Sequence, residues 1–311
     1  MDIGIGAPVA GAWAGPDGLA RFGRMAEELG YASLWTFQRL LVPDDESVDP
    51  VYRSVLDPLL ALAYAAAHTS RVRLGVALVN LPFVSPVYLA KQAATLDVLS
   101  GGRLDLGLGV GWSPLEFTAV GASTERRAAR TEEYVAVLRT LWADGVSGFE
   151  GEFYTVPPSR MDPKPVQRPG PPILLGGAVP AALRRAGRIA DGWMSRSGTQ
   201  LSKIGDEIAL VRAAAEDAGR DPGTLRIITR GVVRHDPAGA GTAGSDGERL
   251  RLSGSFERIR EDAAWLGDQG VTELFYDLNW DPLVGGPDAD PVAATERAEE
   301  ILRALAPAAA G

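Results

Sequence analysis

Arg103-Leu104-Asp105-Leu106-Gly107-Leu108-Gly109-Val110-Gly111-Trp112 is a largely apolar run with glycine at three alternate positions and an aromatic residue at its exit. Read as a strand, it sends successive side chains to opposite faces, so Gly107, Gly109 and Gly111 strip one face bare. Glycine weakens a strand interior, and a run of this kind marks a place where something bulky comes close to the backbone. Two occupants are open at this point. One is a planar ring lying on the bare face, with Trp112 beside it; the other is a set of neighbouring core side chains that need the room.

Working outward, seven further strand-like runs lie at 3–7, 32–36, 72–80, 172–176, 192–195, 225–233 and 273–278, with the run above occupying 104–110. Helical patterns separate them, with apolar residues three and four apart, as in Leu19, Phe22, Met25, Ala26 and Leu29. Gly30 and Gly219 follow two of these helices, where left-handed caps are expected. Strict alternation implies parallel pairing with right-handed crossovers, and eight such units predict a closed (β/α)8 TIM barrel, an α/β fold. A dinucleotide-binding fold fits less well. The glycines read Gly-x-Gly-x-Gly, not Gly-x-Gly-x-x-Gly, and only helical Glu132 and Glu133 stand near the position of the acidic residue such a fold needs.

The 311 residues read as a single domain, 1–311, with two departures from the regular unit. Residues 144–171, before the fifth strand, predict a small hairpin and a Pro-rich, lid-like insertion. Residues 235–252, rich in glycine, predict a mobile loop after the seventh strand.

Net charge is −9, and no basic stripe is visible, which argues against nucleic acid as a partner. No apolar run of about 18 residues predicts a membrane span, and no basic cluster precedes an apolar start, so a cytoplasmic protein is expected. The chain has no cysteine and two histidines, His68 and His235, which removes thiolate chemistry and leaves no cluster at metal-ligand spacing. No metal is expected.

The run 104–112, followed by Glu116-Phe117 and Gly121, resembles the fourth-strand signature of the bacterial luciferase-like flavin and deazaflavin oxidoreductases. Phe149-Glu150-Gly151-Glu152-Phe153, Lys164-Pro165-Val166-Gln167-Arg168-Pro169, Pro172-Ile173-Leu174-Leu175-Gly176-Gly177 and Ala190-Asp191-Gly192-Trp193 follow in that family's order. The likeness covers nearly the whole chain and, within the superfamily, is greatest to members that use the deazaflavin coenzyme F420.

The resemblance implies a cofactor at the C-terminal ends of the strands, where barrel enzymes carry their sites in general. It implies a bulge in the third strand at Ala77–Leu78, often with a cis peptide bond, pressing on the back of the tricyclic ring. Asn80 is placed to bond the cofactor or to cap a turn. Gly109, Gly111 and Trp112 would border the ring. Gly176, Gly177 and Ala178 lie between a strand and a helix start, and free N–H groups at a helix start attract anions; the resemblance assigns them the ribityl chain or phosphate. Arg184 and Arg196 are further phosphate candidates. Trp13, Trp35 and Phe37 are candidates for a pocket wall, with core packing the stronger reading for Trp35.

Many relatives carry an acidic residue and a histidine at the end of the second strand, near the ring's reactive edge. Here the run is Trp35-Thr36-Phe37-Gln38-Arg39. An amide can donate a hydrogen bond but exchanges no proton near neutral pH. Gln38 is therefore expected to orient a substrate carbonyl or the ring oxygen, and Arg39 to stabilise developing negative charge. Glu116, Tyr88 and water are the remaining proton sources.

The implied function is an F420-dependent oxidoreductase acting on a small organic molecule. The alternatives are a reduced-FMN monooxygenase served by a separate flavin reductase, and a flavin-binding relative without catalysis. The resemblance also implies a homodimer.

Overall fold

The computed structural model describes residues 1–45, 47–244 and 247–307. In chain order the strands are β1 (Asp2–Gly6), β2 (Ser33–Thr36), β3 (Arg73–Asn80), β4 (Leu104–Gly109), β5 (Ser147–Glu150), β6 (Thr155–Ser159), β7 (Ile173–Gly176), β8 (Gly192–Met194), β9 (Arg226–Val232), β10 (Arg234–His235), β11 (Ser253–Gly254) and β12 (Glu273–Asp277). Eight of them close into a barrel of order β1-β2-β3-β4-β7-β8-β9-β12, parallel at every pairing. These are the eight runs expected from the sequence.

The helices are α1 (Pro16–Glu28), α2 (Pro58–His68), α3 (Pro86–Ser100), α4 (Pro114–Ala119), α5 (Arg127–Trp142), α6 (Pro180–Ile189), α7 (Ile204–Asp217), α8 (Phe256–Asp268) and α9 (Pro291–Ala304). Six begin on proline, whose missing N–H and fixed φ suit the first helical position. Asp57, Ser113, Ser255 and Asp290 cap their helices by accepting N–H groups of the first turn. Gly30 and Gly219 take positive φ just past α1 and α7, as the sequence predicts.

Inside the barrel, Trp35, Ala77, Leu174, Met194, Ile228 and Phe275 form an apolar layer with Leu78 packed against it. Trp35 stacks on Phe275 at 5.3 Å and is core, not pocket wall. The N-terminal end is plugged by charge. Buried Asp105 takes Arg73 and Arg226, and Arg226 also reaches Glu273 at 2.9 Å, while Glu273 accepts the Trp35 indole N–H at 2.8 Å.

The β3 bulge lies where the resemblance put it. Pairing with β4 steps from Val76↔Leu106 to Val79↔Leu108, and the Ala77–Leu78 peptide is cis. The bare face of β4 is not open, however. A Cβ on Gly107 or Gly109 would stand 2.9 Å from a Leu78 methyl, and one on Gly176 of β7 would stand 2.2 Å from it. The glycines make room for Leu78, so a ring cannot lie on them directly. Gly111 belongs to a different feature. The strand ends at Gly109, and Gly111 turns the chain with φ +72°, its carbonyl accepting from Arg127 at 3.1 Å.

The insertion is a strap and not a lid. β5 and β6 form the hairpin, tied to α5 where Glu133 accepts the N–H groups of Glu152, Phe153 and Tyr154. The Pro-rich run then follows α3 and α5 toward the plugged end. Lys91 donates to the Asp162 carbonyl, Lys164 to Leu141 and Gln167 to Asp97 and to the carbonyl of Leu104. Of the loop 235–252, Ser245 and Asp246 lie outside the described residues. Its returning limb is clamped by Asp262 of α8, which bonds Arg249, Arg251 and the Leu252 N–H.

Candidate active site

The barrel mouth collects side chains from loops that the alternating strands deliver to one end. At its centre Leu78 is half-buried, supported from below by the apolar layer and at the side by glycine backbone. A flat apolar surface of this kind can carry the face of an aromatic ring. Asn80, at the end of β3, is also half-buried, and its N–H donates to the Gln38 Oε1 at 2.8 Å. That bond orients the Gln38 amide. Its carbonyl end is used, and its Nε2 is left without a partner among the described residues. The residue expected to orient a substrate therefore presents a donor.

Arg39 and Glu116 are brought together, but to bind each other. Arg39 Nη1 lies 2.8 Å from Glu116 Oε2, and both side chains are buried. Glu116 Oε1 accepts the N–H groups of Leu40 and Leu41 at 2.7 and 3.2 Å. With both oxygens occupied, Glu116 is a poor candidate for proton delivery; it pins the 37–41 segment over the mouth. The Arg39 guanidinium sits 4.4 Å from the ring centres of both Tyr52 and Trp112, and its buried Nε has no partner among the described residues. Trp112 remains largely exposed, and Tyr88 is exposed on α3.

The other rim was not read from the sequence. Arg230 of β9 pairs with Asp277 of β12 at 2.6 Å, both buried, and its guanidinium packs 4.0 Å from Trp280 and 4.8 Å from Phe37. Asp277 accepts from Asn279, and Asn279 in turn accepts the Trp13 indole N–H at 3.2 Å. Trp13 and Phe37 are thus buried parts of this wall. A signal was present: Arg230 is a charge inside the apolar run Ile227-Ile228-Thr229-Arg230-Gly231-Val232, a position such a residue rarely takes unless paired.

On the side of β7, Gly176, Gly177 and Ala178 are half-buried, and Gly177 has φ +151° with Ala182 close behind it. The Trp193 indole donates to the Gly177 carbonyl at 2.9 Å, which explains that buried tryptophan. Val179, the residue before α6, caps nothing with its side chain. The N–H groups of Gly177 and Ala178 donate to no group among the described residues. Orphan donors at a helix start suit an anionic group. Arg184 and Arg196 are exposed and stand on the surface. Leu78, Asn80 and the 176–178 turn therefore fit a flavin-like cofactor: an apolar bed for a ring and free donors for a phosphate.

A profile described as luciferase-like monooxygenase matches residues 3–243. The chain belongs to the luciferase-like monooxygenase family. An uncharacterised Mycobacterium tuberculosis protein of like sequence is 35% identical over 222 residues, covering 67% of this chain and 77% of the relative. An F420-dependent glucose-6-phosphate dehydrogenase from Kineococcus radiotolerans is 32% identical over 218 residues, 68% of this chain and 61% of that one. An FMNH2-dependent dimethylsulfone monooxygenase from Pseudomonas putida is 34% identical over 156 residues, 49% of this chain and 42% of that one. Among solved structures, monooxygenase RslO1 from Streptomyces bottropensis superposes with a TM-score of 0.78 at 26% identity, over 97% of this chain and 98% of its own. This luciferase-like chain thus has relatives of both cofactor types, and its barrel mouth is where the family chemistry has to be sought.

Proposed function

We propose that the protein is an F420-dependent oxidoreductase that moves a hydride between the deazaflavin and a small organic substrate. The observation that carries this reading is the pairing of a Leu78 bed with a Gln38 amide whose free end can only donate. When bound, a deazaflavin supplies a hydride at a ring carbon, and that chemistry belongs to the cofactor. Leu78 supports the ring's back face and keeps water from it. Gln38 Nε2 donates to the substrate oxygen on which negative charge develops. Asn80, through its N–H, fixes the Gln38 rotamer. Arg39, Glu116, Tyr52 and Trp112 hold the 37–41 segment so that the amide stays in place. Gly177 and Ala178 N–H groups receive the cofactor's phosphate. Water is left as the proton source, because Glu116 is committed and Tyr88 stands on α3.

The F420-dependent relative aligns over 68% of this chain and the FMNH2-dependent one over 49%, which supports the deazaflavin. The second reading, a reduced-FMN monooxygenase fed by a separate flavin reductase, has the likeness to RslO1 in its favour. Offering F420 and FMN side by side to the purified protein separates them. The expected result is quenching of F420 fluorescence at micromolar concentration with no comparable FMN difference spectrum. Oxygen-dependent turnover with reduced FMN, and no F420 binding, would replace the proposal with the second reading. A homodimer acting on a small molecule, with neither nucleic acid nor membrane as partner, is part of the same proposal.

A further inference from the structure

A second cavity, of about 490 Å³, opens beside the mouth between the segment 197–203, the end of β9 and the returning limb 248–251. Its lining is strongly cationic: Lys203, Arg230, Arg234, Arg249 and Arg251, with Glu248 as the carboxylate among the described lining residues. The cations are not equally engaged. Arg249 and Arg251 share Asp262, and Arg230 binds Asp277 through Nε. Arg234 is half-buried, and among the described residues its guanidinium hydrogen-bonds only to the Val232 carbonyl, at a long 3.4 Å. It touches no carboxylate among the described residues, and burial disfavours its charge against the pull of Asp49. Lys203 is exposed at the rim.

Several cations crowded around a cavity repel one another, and a partly desolvated arginine without an anion is unfavourable. A planar oxyanion would satisfy both, because guanidinium forks match carboxylate and phosphate oxygens two at a time. The volume suits a small organic anion. Arg230 joins this cavity to the mouth, since the same guanidinium lies over Trp280 and Phe37. We propose that the cavity is an anion subsite, taking a carboxylate or phosphate-ester group of a ligand whose other end reaches the mouth. Two sources share that chemistry: the acidic end of a substrate and the acidic tail of the cofactor. The subsite does not depend on which cofactor the mouth takes; only the second source rests on the proposed function.

Calorimetric titration of the protein with inorganic phosphate at low ionic strength is the test. Besides any phosphate taken by the 176–178 turn, a saturable site is expected that is weakened by about tenfold or more in Arg234→Gln/Lys203→Gln. Arg234→Lys, which keeps the charge, should recover part of the affinity and guards against a folding defect. Absence of binding, or equal binding in the double variant with an unchanged melting midpoint, overturns the proposal. Repeating the titration with F420 present identifies the source: competition points to the cofactor tail, and undiminished phosphate binding to the substrate. Failure of F420 to bind would leave the phosphate result standing and count only against the functional reading.

Discussion

Gln38 Oε1 accepts the backbone N–H of Asn80 at 2.8 Å, which stitches the exit of β2 to the end of β3. The bond decides what Gln38 can do, because an amide with its oxygen engaged has only donors left to offer. Gln38→Glu keeps an acceptor for Asn80 and removes the donor. Turnover should fall roughly 100–1,000-fold with cofactor affinity nearly unchanged, the range expected for losing one donor to a developing oxyanion. Single-turnover kinetics beside a fluorescence titration will separate the two quantities; a fully active variant would remove Gln38 from the chemistry.

The seat of Leu78 makes a second expectation quantitative. A Cβ at Gly107 would stand 2.1 Å from the Val76 carbonyl oxygen, whereas at Gly176 it meets the end of the Leu78 side chain. Backbone cannot yield and a leucine methyl can, so Gly107→Ala should destabilise more than Gly176→Ala, with about 1–3 kcal/mol for the milder overpacking. In Leu78→Ala/Gly176→Ala the clash is gone, and the double variant should be more stable than the two single losses sum to. Urea melts of the set will show whether the order holds.

Glu116→Ala should destabilise strongly. It strands the Arg39 guanidinium between two aromatic rings and frees the Leu40 and Leu41 N–H groups, and removing one partner of a buried pair costs about 3–5 kcal/mol. Arg39→Met/Glu116→Leu should be milder in thermal melts. If the single variant is as stable as the parent, the pair is not what holds the 37–41 segment.

Asp262 gives the loop 235–252 a pH dependence. Burial raises its pKa, but Arg249, Arg251 and the Leu252 N–H outweigh it, and the group is held below its ordinary value of 3.8. A depressed carboxylate stabilises the fold above the unfolded-state pKa, and that contribution fades as pH falls through the lower folded value. Protection of the amides in 248–252, taken relative to their intrinsic exchange, should therefore fall on acidification below the ordinary carboxylate range. In Asp262→Asn that protection should already be low at neutral pH and change little on acidification. Exchange followed by mass spectrometry reads both.

The barrel was legible because its evidence is local. Each strand is an apolar run, and most of the helices announce themselves with proline or a capping residue, as Asp57-Pro58 and Asp290-Pro291 do. The bulge and the 176–178 turn came from resemblance and stand at the expected residues. What stayed hidden was pairing across long stretches of chain. Gly107 and Gly109 reported a close neighbour without naming it, and Leu78 is identified only once β3 lies against β4. Arg39 finds Glu116, and Arg230 finds Asp277, through closure of the barrel, which no local pattern encodes. The Pro-rich insertion looked like a lid because its composition gives extension, not direction. Bonds to Asp97 and Leu141 decide where it runs.

One leucine rests against backbone from two separate strands, and this ties its neighbourhood together. A larger residue at position 78 would push up into the mouth, a smaller one leaves a hollow, and alanine at 107, 109 or 176 presses on the recess from the side. In a library aimed at new substrates these four positions will behave as one indivisible unit. Useful diversity should arise farther out, at the exposed side chains of Leu40 and Leu41, which are held through their N–H groups, so that a change there can reshape the entrance without disturbing the depth at which a guest settles.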